Sequence, residues 1–208
     1  MIDLNFLSAA EAAKLPREMC LRRFPERTQR AQRYRAPSDR LLSLAAGALI
    51  ASICGAEEDE IVLRKNKKPY LPDGRGYISV AHAGEYALLA CSEWELGVDL
   101  EPESRSHTPA AERALHPEER EWLRENSGDF IRLWTMKESV MKQCGLGLQL
   151  LPSSFSVAPA LTGGVIHLNG ETLYLHSLLW NGYRTAVCTP RQEETIRIRE
   201  WTLDELTL

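Results

Sequence analysis

Two short clusters in this chain carry residue types that could do chemistry. In Gly97-Val98-Asp99-Leu100-Glu101 two carboxylates stand two residues apart. On a β-strand that spacing turns both to one face and leaves Val98 and Leu100 on the other. Like charges so close repel, and they persist where a cation or basic groups neutralise them; the plainer alternative is a solvated strand end beside Glu103. In Trp134-Thr135-Met136-Lys137-Glu138-Ser139-Val140-Met141-Lys142, Glu138 and Lys142 are i,i+4 neighbours on one helix face, by itself an ordinary helix salt bridge. If Glu138 meets Asp99 and Glu101, three oxygen donors with waters and a pyrophosphate suit magnesium, a hard ion of octahedral preference. Manganese fits such an oxygen-rich site as well. Lys137 and Lys142 would then stand beside phosphate as mobile point charges.

These clusters need elements to hold them. Residues 38–54 begin with Ser38-Asp39, suited to an N-cap, and run through small and large apolar side chains to Gly55, which predicts the central helix of the first half. Ile61 to Arg64 reads as a short strand and Lys67 to Gly74 as a loop. Tyr77–Val80, Tyr86–Cys91 and Gly97–Leu100 read as a small β-meander, with a turn around His82-Ala83-Gly84-Glu85. Pro117–Glu125 reads as a helix with acids in its first turn, and Phe130, Leu133, Trp134, Met141 and Cys144 recur at helical spacing up to Gly145. Beyond Pro152 the pattern turns to strands at Phe155–Val157, Val165–Leu168, Leu173–Leu179, Arg184–Cys188 and Ile196–Trp201, with hairpin signals at Asn169-Gly170 and Asn181-Gly182. Tyr86 and Cys91 after Gly84 echo Tyr183 and Cys188 after Gly182, a faint internal repeat.

Composition sets the outer bounds. The 208 residues suffice for one sizeable core or two small ones, and 44% hydrophobic against 26% charged residues argues against disorder. The net charge of −4 hides eight arginines between residues 17 and 40, a patch suited to a small polyanion or an acidic protein surface, or else a solvated helix face. No whole-chain basic balance points to nucleic acid. Five scattered cysteines without a CxxC pair suggest neither a disulfide framework nor zinc, which fits a reducing, cytoplasmic setting. The N-terminus shows no basic segment followed by an apolar stretch, and the apolar run from Leu41 to Cys54 is too short to span a bilayer, so no membrane association is expected.

Taken together, Gly97–Glu101 and Trp134–Lys142 resemble the signature of the 4′-phosphopantetheinyl transferases, a G-[VI]-D-[LI]-E strand followed some tens of residues later by W-[ST]-x-K-E-[SA]-x-x-K. The resemblance extends to Lys68-Pro69, the Ile78–Gly84 segment around His82, the Gly145-Leu146-Gly147-Leu148 tail and Phe155-Ser156-Val157. Chain length matches the surfactin-synthetase-activating type. That type implies an α+β fold of two similar α/β lobes in a pseudo-two-fold arrangement, expected here as 1–104 and 105–208, with the active site between them and a monomeric state.

The resemblance also implies an activity and its residues. The 4′-phosphopantetheine arm of coenzyme A would be moved to a serine of an apo acyl or peptidyl carrier protein, of nonribosomal peptide, polyketide or fatty-acid synthesis, with release of 3′,5′-ADP. Asp99, Glu101 and Glu138 would bind Mg2+ or Mn2+. Glu119 is aligned with the family's base, with Glu138 as the alternative; Lys142 would stabilise or protonate the leaving group and Lys137 would contact phosphate. His82, Arg30, Arg33 and Arg40 would meet coenzyme A phosphates, and Lys68 and Pro69 would lie beside adenine. Ala81 and Ala83 depart from the serines usual around the family histidine, so a hydroxyl contact to the 3′-phosphate is missing or supplied elsewhere. Other classes remain open from the residues alone: a different metal-dependent phosphoryl enzyme, or a non-catalytic module that binds carrier proteins.

Overall fold

The computed structural model describes residues 1–63, 68–72, 74, 76–192 and 195–208. Arg64 of the expected short strand, and Lys67 and Asp73 of the expected loop, lie outside these. The chain divides into two compact units, one of Met1–Lys65, Pro69–Glu93 and Glu194–Leu208, the other of Asn66–Lys68 and Trp94–Glu193. This division departs from the expected 1–104 and 105–208 at both ends. The carboxylate strand belongs to the second unit, and the C-terminal strand returns to the first.

Unit one begins with β1 (Ile2–Ser8), a strand not among those expected, although Ile2, Leu4 and Phe6 alternate with Asp3 and Asn5 as a strand requires. Helices α1 (Ala9–Ala12), α2 (Arg17–Arg23), α3 (Pro25–Ala31) and α4 (Pro37–Ile53) follow, then β2 (Val62–Leu63), β3 (Pro69–Leu71), β4 (Gly76–Ala83) and β5 (Tyr86–Ser92). The central helix starts one residue earlier than expected: Ala36 is its N-cap and Pro37 its first residue, where a missing N–H costs nothing. Part of the expected loop is instead β3, which pairs with both β2 and β4. Proline is tolerated there because Pro69 is the first residue of the strand. His82, expected in a turn, lies on β4 opposite Ala87, and the turn is confined to Gly84-Glu85. The core packs Leu42, Ala45, Ala46, Leu49 and Ile50 of α4 with Leu7, Ile78, Ala87 and Leu89 of the sheet.

Unit two opens with β6 (Gly97–Pro102) and continues through α5 (Pro109–Arg113), α6 (Pro117–Glu125), α7 (Phe130–Cys144), α8 (Ala158–Gly163), β7 (Val165–Leu168), β8 (Glu171–Trp180) and β9 (Tyr183–Thr189). Asn169-Gly170 and Asn181-Gly182 join β7 to β8 and β8 to β9 as two-residue turns. All four residues have positive φ, as type I′ hairpins require. Phe155–Val157, expected as a strand, instead leads into α8, with Val157 as that helix's N-cap. Phe130, Leu133, Met136, Val140 and Met141 of α7 form the core with Phe155, Leu161, Leu173 and Leu175.

The last strand, β10 (Ile196–Trp201), is parallel to β1 in unit one. The two sheets have the orders β10-β1-β5-β4-β3-β2 and β6-β9-β8-β7, so β6 does not continue the meander of β4 and β5. Within each unit the first strand pairs antiparallel with the last strand of a meander, and one long helix packs on the sheet. Tyr86 opposes Ser8 as Tyr183 opposes Pro102, and Cys91 opposes Asp3 as Cys188 opposes Gly97. The faint hairpin echo is thus a repeat of topology and register. By that register Asn5 occupies in unit one the place Asp99 occupies in unit two. Buried Asn5 accepts a hydrogen bond from Trp201 Nε1 at 2.9 Å, so the first copy carries a neutral amide where the second carries charge.

Candidate active site

The site in unit two is made by one strand and one helix in near backbone contact. A Cβ on Gly97 would collide with the Ser139 carbonyl oxygen and the Gln143 amide nitrogen of α7, so only glycine permits this approach. Strand alternation then turns Asp99 and Glu101 to the face that Gly97 presents to α7. Helical periodicity brings Glu138 and Lys142 round to meet them.

Asp99 and Glu101 are both buried, and each is held by one cation. Lys142 Nζ donates to Asp99 Oδ1 at 2.8 Å, and Arg105 Nη1 donates to Glu101 Oε1. The second oxygen of each, Asp99 Oδ2 and Glu101 Oε2, is buried without a hydrogen-bond partner. Burial pushes the Asp99 carboxyl above the ordinary range, and Lys142 opposes it. Burial likewise raises Glu101 against the pull of Arg105. Half-buried Glu138 is raised first by burial and then by the charge of Asp99, with a smaller contribution from Glu101. The three carboxylates therefore share one electrostatic cluster, although among the described residues no group of three or more His, Cys, Asp or Glu side chains converges closely enough to hold a metal ion. The donor set nonetheless suits a hard cation, being all oxygen, with two buried oxygens still open to a partner.

Glu119 and Lys137 have a different place. Both side chains are fully buried, 0% exposed, and they are joined: Lys137 Nζ donates to Glu119 Oε1 at 2.6 Å and to the Phe155 carbonyl at 2.7 Å, over the Phe155 ring. Glu119 also accepts from Val157 N at 2.8 Å and His116 N at 2.9 Å. Burial lowers the Lys137 ammonium's proton affinity and Glu119 restores part of it. Glu119, expected as the base, thus accepts three hydrogen bonds inside the core, and Lys137, expected beside phosphate, has a fully buried side chain.

Lys68 is also enclosed. Its side chain is 4% exposed, and Nζ donates to the Gln143 carbonyl at 2.6 Å and to Glu95 at 3.1 Å. A cation on the last turn of α7 complements the helix dipole. The ammonium is thus a clamp on the helix that bears Glu138 and Lys142, which no local pattern around Lys68 could have revealed. Pro69 starts β3 in unit one. Arg30 of α3, Arg33 just after it, Arg40 in the first turn of α4 and His82 of β4 are exposed side chains of the same unit. Arg40 Nε donates to the Tyr34 carbonyl at 2.8 Å. Arg105, not expected from the sequence, reaches Glu101 across the turn that follows β6; helical i,i+4 spacing does not apply there.

A family model of the 4′-phosphopantetheinyl transferase superfamily matches residues 95–188, which span β6 to β9 and the whole cluster. The chain is 30% identical over 179 residues to the 4′-phosphopantetheinyl transferase Gsp of Aneurinibacillus migulanus, covering 79% of this chain and 75% of the relative. It is 27% identical over 180 residues to the 4′-phosphopantetheinyl transferase Sfp of Bacillus subtilis strain 168, covering 79% and 80%. With a strand and helix that bring the carboxylates together, and with relatives matched over most of their length, this chain belongs to the 4′-phosphopantetheinyl transferase family, as an enzyme of its surfactin-synthetase-activating type.

Proposed function

We propose that the chain moves the 4′-phosphopantetheine arm of coenzyme A onto a serine of an apo acyl or peptidyl carrier protein and releases 3′,5′-ADP, with a magnesium ion held by Asp99, Glu101 and Glu138. The observation that carries this reading is the pair of buried, unpartnered oxygens on Asp99 and Glu101 beside Glu138. When bound, the ion supplies charge neutralisation on the pyrophosphate and orients it.

The chain's own residues do the rest. Glu138 is half-buried and its proton affinity is raised by burial and by Asp99, which makes it a stronger proton acceptor for the serine hydroxyl than an exposed carboxylate. Lys142 is a third exposed and 2.8 Å from Asp99; its ammonium supports the phosphate of the departing 3′,5′-ADP. Lys68 and Gly97 fix the helix that carries both. Arg30, Arg33, Arg40 and His82, all exposed, are assigned to coenzyme A phosphates, and Pro69 to the adenine side.

Intact-mass analysis of an apo carrier protein incubated with the chain, coenzyme A and Mg2+ tests the reading. A phosphopantetheine mass gain is expected, and it should vanish with EDTA and in Asp99→Ala and Glu138→Ala variants. A variant that transfers at the wild-type rate removes that residue from the proposed set. Coenzyme A binding without transfer to any of several carriers favours the non-catalytic module.

A further inference from the structure

All five cysteines are thiols, and two of them meet although they are 37 residues apart. Cys54, the C-cap of α4, and Cys91 on β5 have Sγ atoms 3.8 Å apart. Both are half-buried and line a cleft of unit one together with Asn5, Ile53, Ile198 and Trp201, so a small oxidant can reach them. A disulfide needs the sulfurs at about 2.05 Å. Cys91 is fixed in a strand paired on both sides, by β1 and β4, whereas Cys54 follows the last helical residue of α4. The hydrogen bond with Cys54 is the largest cause that raises the Cys91 thiol, followed by burial.

We propose that Cys54 and Cys91 are a site of reversible oxidative modification by peroxides, with Cys54 as the attacking thiol and Cys91 as the resolving one. The Cys54 thiolate attacks a peroxide oxygen; an S–O bond forms, the O–O bond breaks and hydroxide leaves as water, giving a Cys54 sulfenic acid. The Cys91 sulfur then attacks Cys54 Sγ; the S–S bond forms as the S–O bond breaks, and the hydroxyl departs as water with the Cys91 proton. Two thiols and one hydrogen peroxide become one disulfide and two waters, the sulfurs giving up two electrons to the peroxide. The product ties the end of α4 to the strand next to β4, and a dithiol reverses it.

The test treats the full chain with a slight excess of hydrogen peroxide, quenches it, blocks remaining thiols with iodoacetamide in denaturant so that buried Cys20 and Cys188 also react, and reads intact mass and a peptide map. Two of the five thiols should escape alkylation, the peptides of Cys54 and Cys91 should be linked, dithiothreitol should restore both, and the oxidised protein should melt several degrees higher because the unfolded chain is constrained. In the Cys91→Ser variant dimedone should label Cys54. Full alkylation of Cys54 and Cys91, or sulfinic acid at either in the wild-type chain, overturns the proposal. Dimedone labelling of Cys91 in Cys54→Ser, with none of Cys54 in Cys91→Ser, overturns the assigned order.

Discussion

Lys137 is where the sequence and the structure assign opposite roles, and one substitution separates them. Lys137→Met keeps the length of the side chain and removes its charge, leaving Glu119 without its cation in a site where both partners are 0% exposed. Breaking a buried pair from one side costs about 3–5 kcal/mol, a large part of the roughly 5–15 kcal/mol that stabilises a domain. For a chain of this size, that corresponds to a Tm lowered by about 6–20 °C. Glu119→Gln should cost a similar amount by stranding the lysine. In the double variant both charges are gone and the amide oxygen can still accept from Val157 N, so its loss should be smaller than the sum by about 0.5–3 kcal/mol. Urea denaturation followed by the fluorescence of Trp122 and Trp134, which pack on this core, measures each stability; the transfer assay at varied coenzyme A measures KM. A Lys137→Met protein within about 0.5 kcal/mol of wild type, with a tenfold higher KM for coenzyme A, would show that the lysine meets phosphate and would refute the argument.

Three further outcomes follow from particular contacts. Gly97→Ala should push α7 away from β6 and lower kcat far more than it changes coenzyme A binding; an unchanged kcat would mean the close approach does not position Glu138. Lys68→Met removes two hydrogen bonds from the buried ammonium and should cost about 2 kcal/mol, with faster hydrogen exchange confined to the last turn of α7; uniform exchange along the chain would contradict the clamp. Glu11 is held below the usual carboxylate range chiefly by the Leu203 backbone N–H and then by Lys14. Because its folded value is depressed, its contribution is present above the unfolded value of about 4.3 and is lost as pH falls through the folded value. The stability gap between wild type and Glu11→Gln, followed by urea denaturation, should therefore close on acidification, and a gap that widens would reverse the sign.

What the sequence determined by itself is local. Period-two alternation put Asp99 and Glu101 on one face of a strand, helical spacing put Glu138 and Lys142 on one face of a helix, and Asn-Gly pairs fixed two hairpins, because each of these depends on neighbours within four residues. Their joint match to a family signature carried the function. What only the tertiary structure decided is which side chains the fold encloses. Lys137 and Glu138 are adjacent on α7, yet one points into the core toward Glu119, eighteen residues earlier, and the other toward the carboxylate strand. Helical spacing does place Lys137 on the apolar face with Leu133, Val140 and Met141; that Glu119 meets it there is decided only by the tertiary fold. Lys68 on the end of α7, β6 in a different sheet from β5, and β10 beside β1 rest on the same cause: contacts between residues far apart in the chain are selected by burial and hydrogen-bond satisfaction of the whole unit, and those terms exist only once the units have formed.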